Sequence, residues 1–530
     1  MVYQMKKRAA VRPQPALPYS IQAPVRGLIL NEPLARAKPG GALVLENFVP
    51  TSTGVRTRGG SLKTATIGGS VKRLWTFKSG QVDELFASDD EHIYKISNVI
   101  DAVTIPAAAV SEQTNGYYSI AQFGTAGGNF LYAVNGADDA QLYDGDTWKR
   151  INTLSTPAIT GIATASFSFV WSFANRLFFV EEGTMNAWFL PIDSIGGAAQ
   201  VFSLAGLFQE GGSLLYGGKW SMDAGDGLDD KCVFVSTEGE VAVFQGTNPG
   251  SRDANNWQKV GVYKITAPMG PNATMQAGGD FLMGVEDGIV PISQAVNKDA
   301  AALSLSAVSR NIEPAWKKEV GIRGARPWEI MKWPSNNMMV VSLPADEGVP
   351  TLCFVANLET GAWTTFTGWD IQCMAHYNGA GYFGTKAGTI HRMEETGSDD
   401  GMPFTCTMVC LPDQLKSPGV YKTVESARAT FLANIPFNPK ISASVDYKTK
   451  LPTPPSSAMN TSNDLWDRGK WDQAKFDAGS SLNVFTRWLS MGVSGFAISP
   501  QVQITSGTSL ALKAELIQID LLYRLGQVMV

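Results

Sequence analysis

Between residues 70 and 395 the apolar residues come in short runs, broken every few positions by Gly, Asp, Asn or Glu. The stretch CVFVSTEGEVAVFQG, Cys232 to Gly246, shows the pattern: four apolar or β-branched residues, a polar turn centred on Gly239, then Val241-Ala242-Val243-Phe244. A short apolar run bounded by turn residues predicts a buried strand, and two such runs around a tight turn predict a β-hairpin. The hairpin recurs as ELFASDDEHIYKIS (84–97), NFLYAVNGADDAQLYDGDTW (129–148) and RLFFVEEGTMNAWFLPI (176–192). It returns as DFLMGVEDGIVPIS (280–293) and GYFGTKAGTIHRM (381–393), with a longer variant over 338–369.

Most copies follow another strand-like run, such as VKRLWTF (71–77) or FSFVWSF (167–173), so the unit is three or four strands. Repeats of this kind predict an all-β chain built on a β-propeller, in which each blade buries the faces of its neighbours. Seven copies are countable, but the first and last can share one blade at the closure, so six blades, or seven, are expected. A stack of β-sandwich domains is the competing all-β arrangement, for which the units are short.

Outside the repeats the pattern changes. Residues 1–26 are Pro-rich and basic, with no acidic residue, and read as an extended arm awaiting a partner. VNKDAAALSLSAVSRNIEPAWKKEV, 296–320, is the best helical stretch and predicts an insertion projecting from the propeller. Beyond 400 the strands lengthen, and ALKAELIQIDLLY (511–523) alternates apolar and polar residues as a half-buried strand does. The expected division is 1–65 for arm and platform strand, 66–395 for the propeller, and 396–530 for a C-terminal β-sandwich-like platform. Within the last, Trp466, Trp471 and Phe476 recur every five residues in LWDRGKWDQAKFDAG, a spacing that fits neither strand nor helix.

The charge balance, 43 Lys and Arg against 48 Asp and Glu, gives no overall basic footprint for nucleic acid. Five cysteines scattered through the chain make no disulfide framework and are expected as reduced, buried thiols. No run approaches the length of a membrane helix, and the basic start lacks the apolar core of a signal peptide.

A search for chemistry finds little. The three histidines, His92, His376 and His391, sit in strand-like runs, and no G-x-S-x-G elbow accompanies them. Cys373-x-x-His376 and Cys406-x-x-x-Cys410 have no partner pair at zinc-site spacing. DAGDGLDDK (223–231) is acidic and Gly-rich, yet its carboxylates miss the alternate positions of an EF-hand loop, which leaves at most a weak calcium site over Asp223–Asp230. No phosphate-cradling loop is present. The reading is no enzyme, no cofactor, no metal and no small-molecule substrate.

GALVLENFVPTSTGVRTRGG (41–60) resembles the N-terminal segment of a family of phage and prophage tail proteins, in which an N-[FW]-[FV]-P turn leads into a G-V-x-x-R-x-G segment. The resemblance continues in order through the repeats, the Trp-Asp loop and RWLSMGVSGFAISPQVQI (487–504). The layout is similar to that of tail hub, or nozzle, proteins of short-tailed phages, the packaged-DNA stabilisation type. That resemblance implies a virion protein assembled in the bacterial host cytoplasm, forming a hexameric ring below the portal and the head-to-tail adaptor. Such a ring continues the channel for double-stranded DNA without sequence-specific binding, retains the genome and carries tail fibres or spikes. The expected contact residues are Lys6, Lys7, Arg8 and Arg12 of the arm, with Trp466, Trp471 and Phe476. The alternative is a tail-associated propeller adhesin for a receptor or glycan.

Overall fold

The computed structural model describes residues 15–97, 99–221, 230–251, 256–298, 300–344, 346–457 and 483–526. The chain forms two compact units, one of residues 59–404 with 509–511, the other of residues 1–58, 405–508 and 512–530.

In the first unit the described residues make seven small antiparallel sheets in succession, over 73–110, 119–151, 167–203, 214–264, 274–291, 329–367 and 373–396. Inner strands of successive sheets lie side by side. Ser119–Thr125 adjoins Phe167–Phe173, which adjoins Leu214–Trp220, and Cys373–Tyr377 adjoins Arg73–Ser79 to complete the circle. This is a seven-bladed β-propeller. Each hairpin of the sequence repeat is the middle of one blade, so the count of seven stands and the six-blade alternative falls. The expected sharing at the closure takes another form. The seventh blade borrows its fourth strand, Gly60–Thr66, from ahead of the first blade; it pairs with Thr389–Thr396.

The hairpins form because their strands are apolar on both faces and their turns are chemically suited. Cys232, Val233, Phe234, Val235, Val241, Ala242 and Val243 are all fully buried. A blade between two others has no solvent face, so continuous apolar runs replace the usual alternation. Gly239 at the turn has φ 82°, and a Cβ there would sit 2.4 Å from the Ile265 carbonyl oxygen. Elsewhere an Asp or Asn closes the turn on backbone N–H groups. Asp89 accepts from His92 at 2.7 Å, Asp144 from Thr147 at 2.9 Å and Asn357 from Thr360 at 3.0 Å.

Adjacent blades interlock through large side chains. Between the first and second, Phe86 meets Tyr143 at 5.1 Å and 70° and Trp148 at 5.3 Å and 85°, edge-to-face arrangements that add to plain area burial. The fourth blade receives its neighbours through two glycines. A Cβ at Gly217 would lie 2.3 Å from the Trp171 ring, and one at Gly218 would lie 2.8 Å from Phe281.

The fifth blade is the irregular one, with three strands, Thr274–Ala277, Asp280–Val285 and Gly288–Pro291. The bare edge of its third strand is covered by the following segment: Val308 N–H bonds the Ile289 carbonyl at 2.9 Å, and Ile289 N–H bonds Ser309 Oγ at 3.0 Å. The helical stretch therefore does not project. Its helix, Glu313–Arg323, begins with Pro314 in the first turn. It buries Trp316, whose indole N–H donates to Val285 C=O at 3.0 Å and whose ring stacks on Phe354 of the sixth blade at 5.7 Å.

The second unit is a β-sandwich. One sheet has the order Phe48–Pro50, Val55–Thr57, Ala514–Leu525, Lys422–Ala433, Asn483–Gly495, with Leu17–Gln22 also paired to Ala514–Leu525. The other runs Ala42–Glu46, Phe404–Cys410, Ile498–Ser506, Lys440–Val445. Part of the N-terminal arm is thus an ordered strand rather than a tail, because Ile21 buries against this sheet and Tyr19 hydrogen-bonds Asp413 at 3.0 Å. Lys422 is fully buried, its ammonium held by the carbonyls of Val420 and Phe496, both at 2.8 Å.

Two alanine substitutions separate tight blade contacts from open positions. Gly217→Ala drives a methyl into Trp171 and is expected to cost about 1–3 kcal/mol. Gly321→Ala, in the helix with open space around it, is expected to be neutral or to stabilise by up to about 1 kcal/mol. Denaturant titration of both variants measures the contrast.

Candidate functional site

The inner strands Arg73–Ser79, Ser119–Thr125, Glu329–Trp333 and Cys373–Tyr377 line a cavity of about 410 Å³ on the propeller axis, reached by Gln122, Lys332 and His376. Arg73 and Glu329 line it, and they also line a much smaller cavity of about 30 Å³. The two form an ion pair between the first and sixth blades, and Glu329 accepts the Met374 N–H of the seventh at 3.0 Å. One carboxylate thus joins three blades at the axis.

Burial is the dominant influence on Glu329 and raises its pKa, the Arg73 charge working against that. The Cys373 thiol beside it is pushed well above its ordinary value, first by burial and then by the Glu329 charge. A thiol so placed is a poor nucleophile. Glu329 is engaged by Arg73 and the Met374 N–H, and the pair reads as a brace between blades.

The same use of charge appears elsewhere. Glu84 of the first blade binds Lys95 and receives the Tyr143 hydroxyl of the second; burial first, and then this contact, raises the Tyr143 pKa. Arg323 bonds Glu319 at 2.6 Å and the carbonyls of Leu343 at 3.3 Å and Pro350 at 2.5 Å.

A larger cleft, about 1000 Å³, opens where the second, third and fourth blades meet, beside Asn175, Lys219, Asp230, Gln245 and Gln258. Asp230 forms an ion pair with Lys219 at 2.9 Å. The side-chain amides of Asn175, Gln245 and Gln258 make no hydrogen bond among the described residues. These groups donate and accept hydrogen bonds, and they supply neither a nucleophile nor a general base.

Of the residues singled out from sequence, Lys6, Lys7, Arg8, Arg12, Trp466, Trp471 and Phe476 lie outside the described residues, as does Asp223–Asp230 except Asp230. The five cysteines are free and buried. His391 is buried, stacks on Phe383 at 5.1 Å and has its pKa lowered by that burial. His92 lies 3.4 Å from Asp89, and His376 is exposed at the axial cavity. No group of three or more His, Cys, Asp or Glu among the described residues is placed to hold a metal ion. The sequence reading missed Arg73 and Glu329, which are 256 residues apart. The one available signal was a charged residue opening each inner strand, RLWTFKS and EIMKW, ahead of an apolar run.

No family model and no curated protein matches the chain. Among solved structures it is similar to the computationally designed Ika8 protein, at 11% identity and a TM-score of 0.34, over 63% of this chain and 99% of that one. It is also similar to the β-propeller domain of Myceliophteria thermophila Cps50 (Swd1), at 11% and 0.39, over 63% and 100%. A third is PorZ of Porphyromonas gingivalis, at 10% and 0.36, over 66% and 43%. Similarity this low carries no argument about function, and the propeller rests on its own sheets.

Removing the axial carboxylate leaves a part-buried guanidinium without its partner, so Glu329→Ala is expected to cost about 3 kcal/mol, the low end for a buried pair. Because the folded state raises the Glu329 pKa, its contribution is fully present below the unfolded value and is lost as pH rises through the folded one. The stability of the wild type minus that of Glu329→Gln is therefore expected to be largest in acid and to shrink toward neutral pH. Denaturant titrations across that range check the sign.

Proposed function

We propose that the chain is a structural subunit of a short phage tail, a hub or nozzle protein that builds a ring around the DNA path and performs no catalysis. The observation that carries this reading is where the buried charge goes. Arg73–Glu329 and Glu84–Tyr143 each join two blades, and Arg323 ties its helix to the carbonyls of Leu343 and Pro350. Buried titratable groups in an enzyme are instead kept available to a substrate. The order of the tail-protein motifs along the chain supports the same reading, although those proteins are expected to have about six blades and this one has seven.

The geometry also constrains how such a subunit meets DNA. The space between these inner strands, about 410 Å³, is far too small for a duplex, whose major groove alone takes up an α-helix. The conduit is then formed between copies, never through a propeller. With few exposed basic clusters, such a lumen neutralises few phosphates and lets DNA slide.

A second reading, an adhesin, is favoured by one feature, the cleft of about 1000 Å³ with its three unbonded amides. Hydrogen-bonding amides in a concave site suit a polyhydroxylated ligand.

Electron microscopy of purified virions separates the two. Six-fold density for this chain on the tail axis is the expected result, and a peripheral position or a monomer bound to glycan overturns the hub reading. Lys332→Ala with His376→Ala removes the exposed axial ammonium and imidazole, and genome retention and ejection are expected to stay unchanged. A loss of either would place DNA inside the propeller.

A further inference from the structure

We propose that the strand Asn483–Gly495 is the docking edge for a second copy of this chain, by antiparallel pairing of the two strands about a two-fold axis. The inference goes beyond the tail-hub reading and does not rest on it. It concerns the free chain in solution before any ring is built.

The strand has thirteen residues and, among the described residues, ends its sheet, paired on one side only, to Lys422–Ala433. Which backbone groups are free follows from the ladder. Ala23 N–H bonds the Ile517 carbonyl at 3.2 Å. Alternation carried through the three registers leaves Val484, Thr486, Trp488 and Ser490 with N–H and C=O pointing outward. Among the described residues nothing bonds them. Long bare edges of this kind are normally blunted by proline, lysine, bulges or a covering element. The opposite edge of the same sheet is blunted, with Pro18 at an outward-facing position of Leu17–Gln22. The strand Asn483–Gly495 contains no proline and no lysine, its one charge is Arg487, and its bulge, at Met491–Gly492, lies beyond the outward stretch from Val484 to Ser490.

The composition fits a copy of itself. All four outward residues are uncharged, and their side chains share one face, where Val484 is 65% and Trp488 42% exposed. Arg428 holds the Trp488 ring from beneath, its guanidinium 5.0 Å from the centroid. A two-fold centred on Trp488 sets Thr486 against Ser490 and Arg487 against Leu489. Sliding one strand by two residues would bring Arg487 against Arg487, a destabilising pair, so charge selects the register.

Light scattering on the purified chain tests this. The wild type is expected at dimer mass. Thr486→Pro deletes an outward N–H without removing a bond to Lys422–Ala433, and it is expected to weaken the dimer on the order of thirtyfold. Trp488→Lys sets two ammonium groups together and is expected to give monomers, with thermal midpoints reporting that both variants stay folded. A wild type that is monomeric up to its solubility limit, or folded variants that keep dimer mass, overturns the proposal. Six-fold rings that form equally well from wild type and Thr486→Pro, with no dimer in either, would overturn it and leave the tail-hub reading standing.

Discussion

A ring of sheets holds only if its two ends meet, and here they meet through one strand. Gly60–Thr66 supplies the outer edge of the seventh blade by pairing with Thr389–Thr396. Without it that blade would show a bare edge, and the interface between the seventh and first blades would be held by side chains alone. Those side chains are closely fitted. A Cβ on Gly384 would come within 2.4 Å of Val71 Cγ1, so the seam tolerates no extra volume. Ala65, Val71, Leu74, Ala87, Cys373 and Ile390 form one apolar cluster across it. Backbone pairing and core packing therefore close the ring together, and the Arg73–Glu329 pair adds a tie at the axis.

The repeat was legible in sequence because burial on both faces writes itself plainly. Runs such as CVFV and AVF, separated by a glycine turn, have no other comfortable structure, and each marked a blade. The number of blades was less legible. GSLKTAT, the closing strand, is half polar and lies ahead of the first repeat, so nothing local says that it belongs with residues three hundred positions away. The fifth blade was obscured for a different reason. Its missing fourth strand is replaced by helical turns whose pattern reads as an appendage, whereas Trp316 makes them part of the core.

The sandwich shows the same limit. Lys422–Ala433 and Ala514–Leu525 alternate as half-buried strands should, and they are visible as such. The edge strand Asn483–Gly495 is exposed along most of its length, so no apolar alternation marks it. Arg73, Glu329 and Glu84 look like ordinary surface charges in sequence. Only the fold shows that Glu84 and Glu329 are buried, that Arg73 is largely covered, and that each spans a joint between blades. The candidate site was thus the least legible part, since it depends on residues that come together from distant strands.

The closing strand also sets an order of events on the ribosome. Gly60–Thr66 leaves the exit tunnel early, but its partner Thr389–Thr396 follows only after more than three hundred further residues. At roughly 5–20 residues per second that is a wait of tens of seconds. The sandwich must wait longer still, because it is built from the first 58 residues together with the last ones. Blades can form one by one as they emerge, yet neither the sealed ring nor the sheet that carries the bare edge exists on a nascent or truncated chain. Only a finished polypeptide can present its association surface, so polysome-bound neighbours are kept from tangling and incomplete chains are kept out of any assembly.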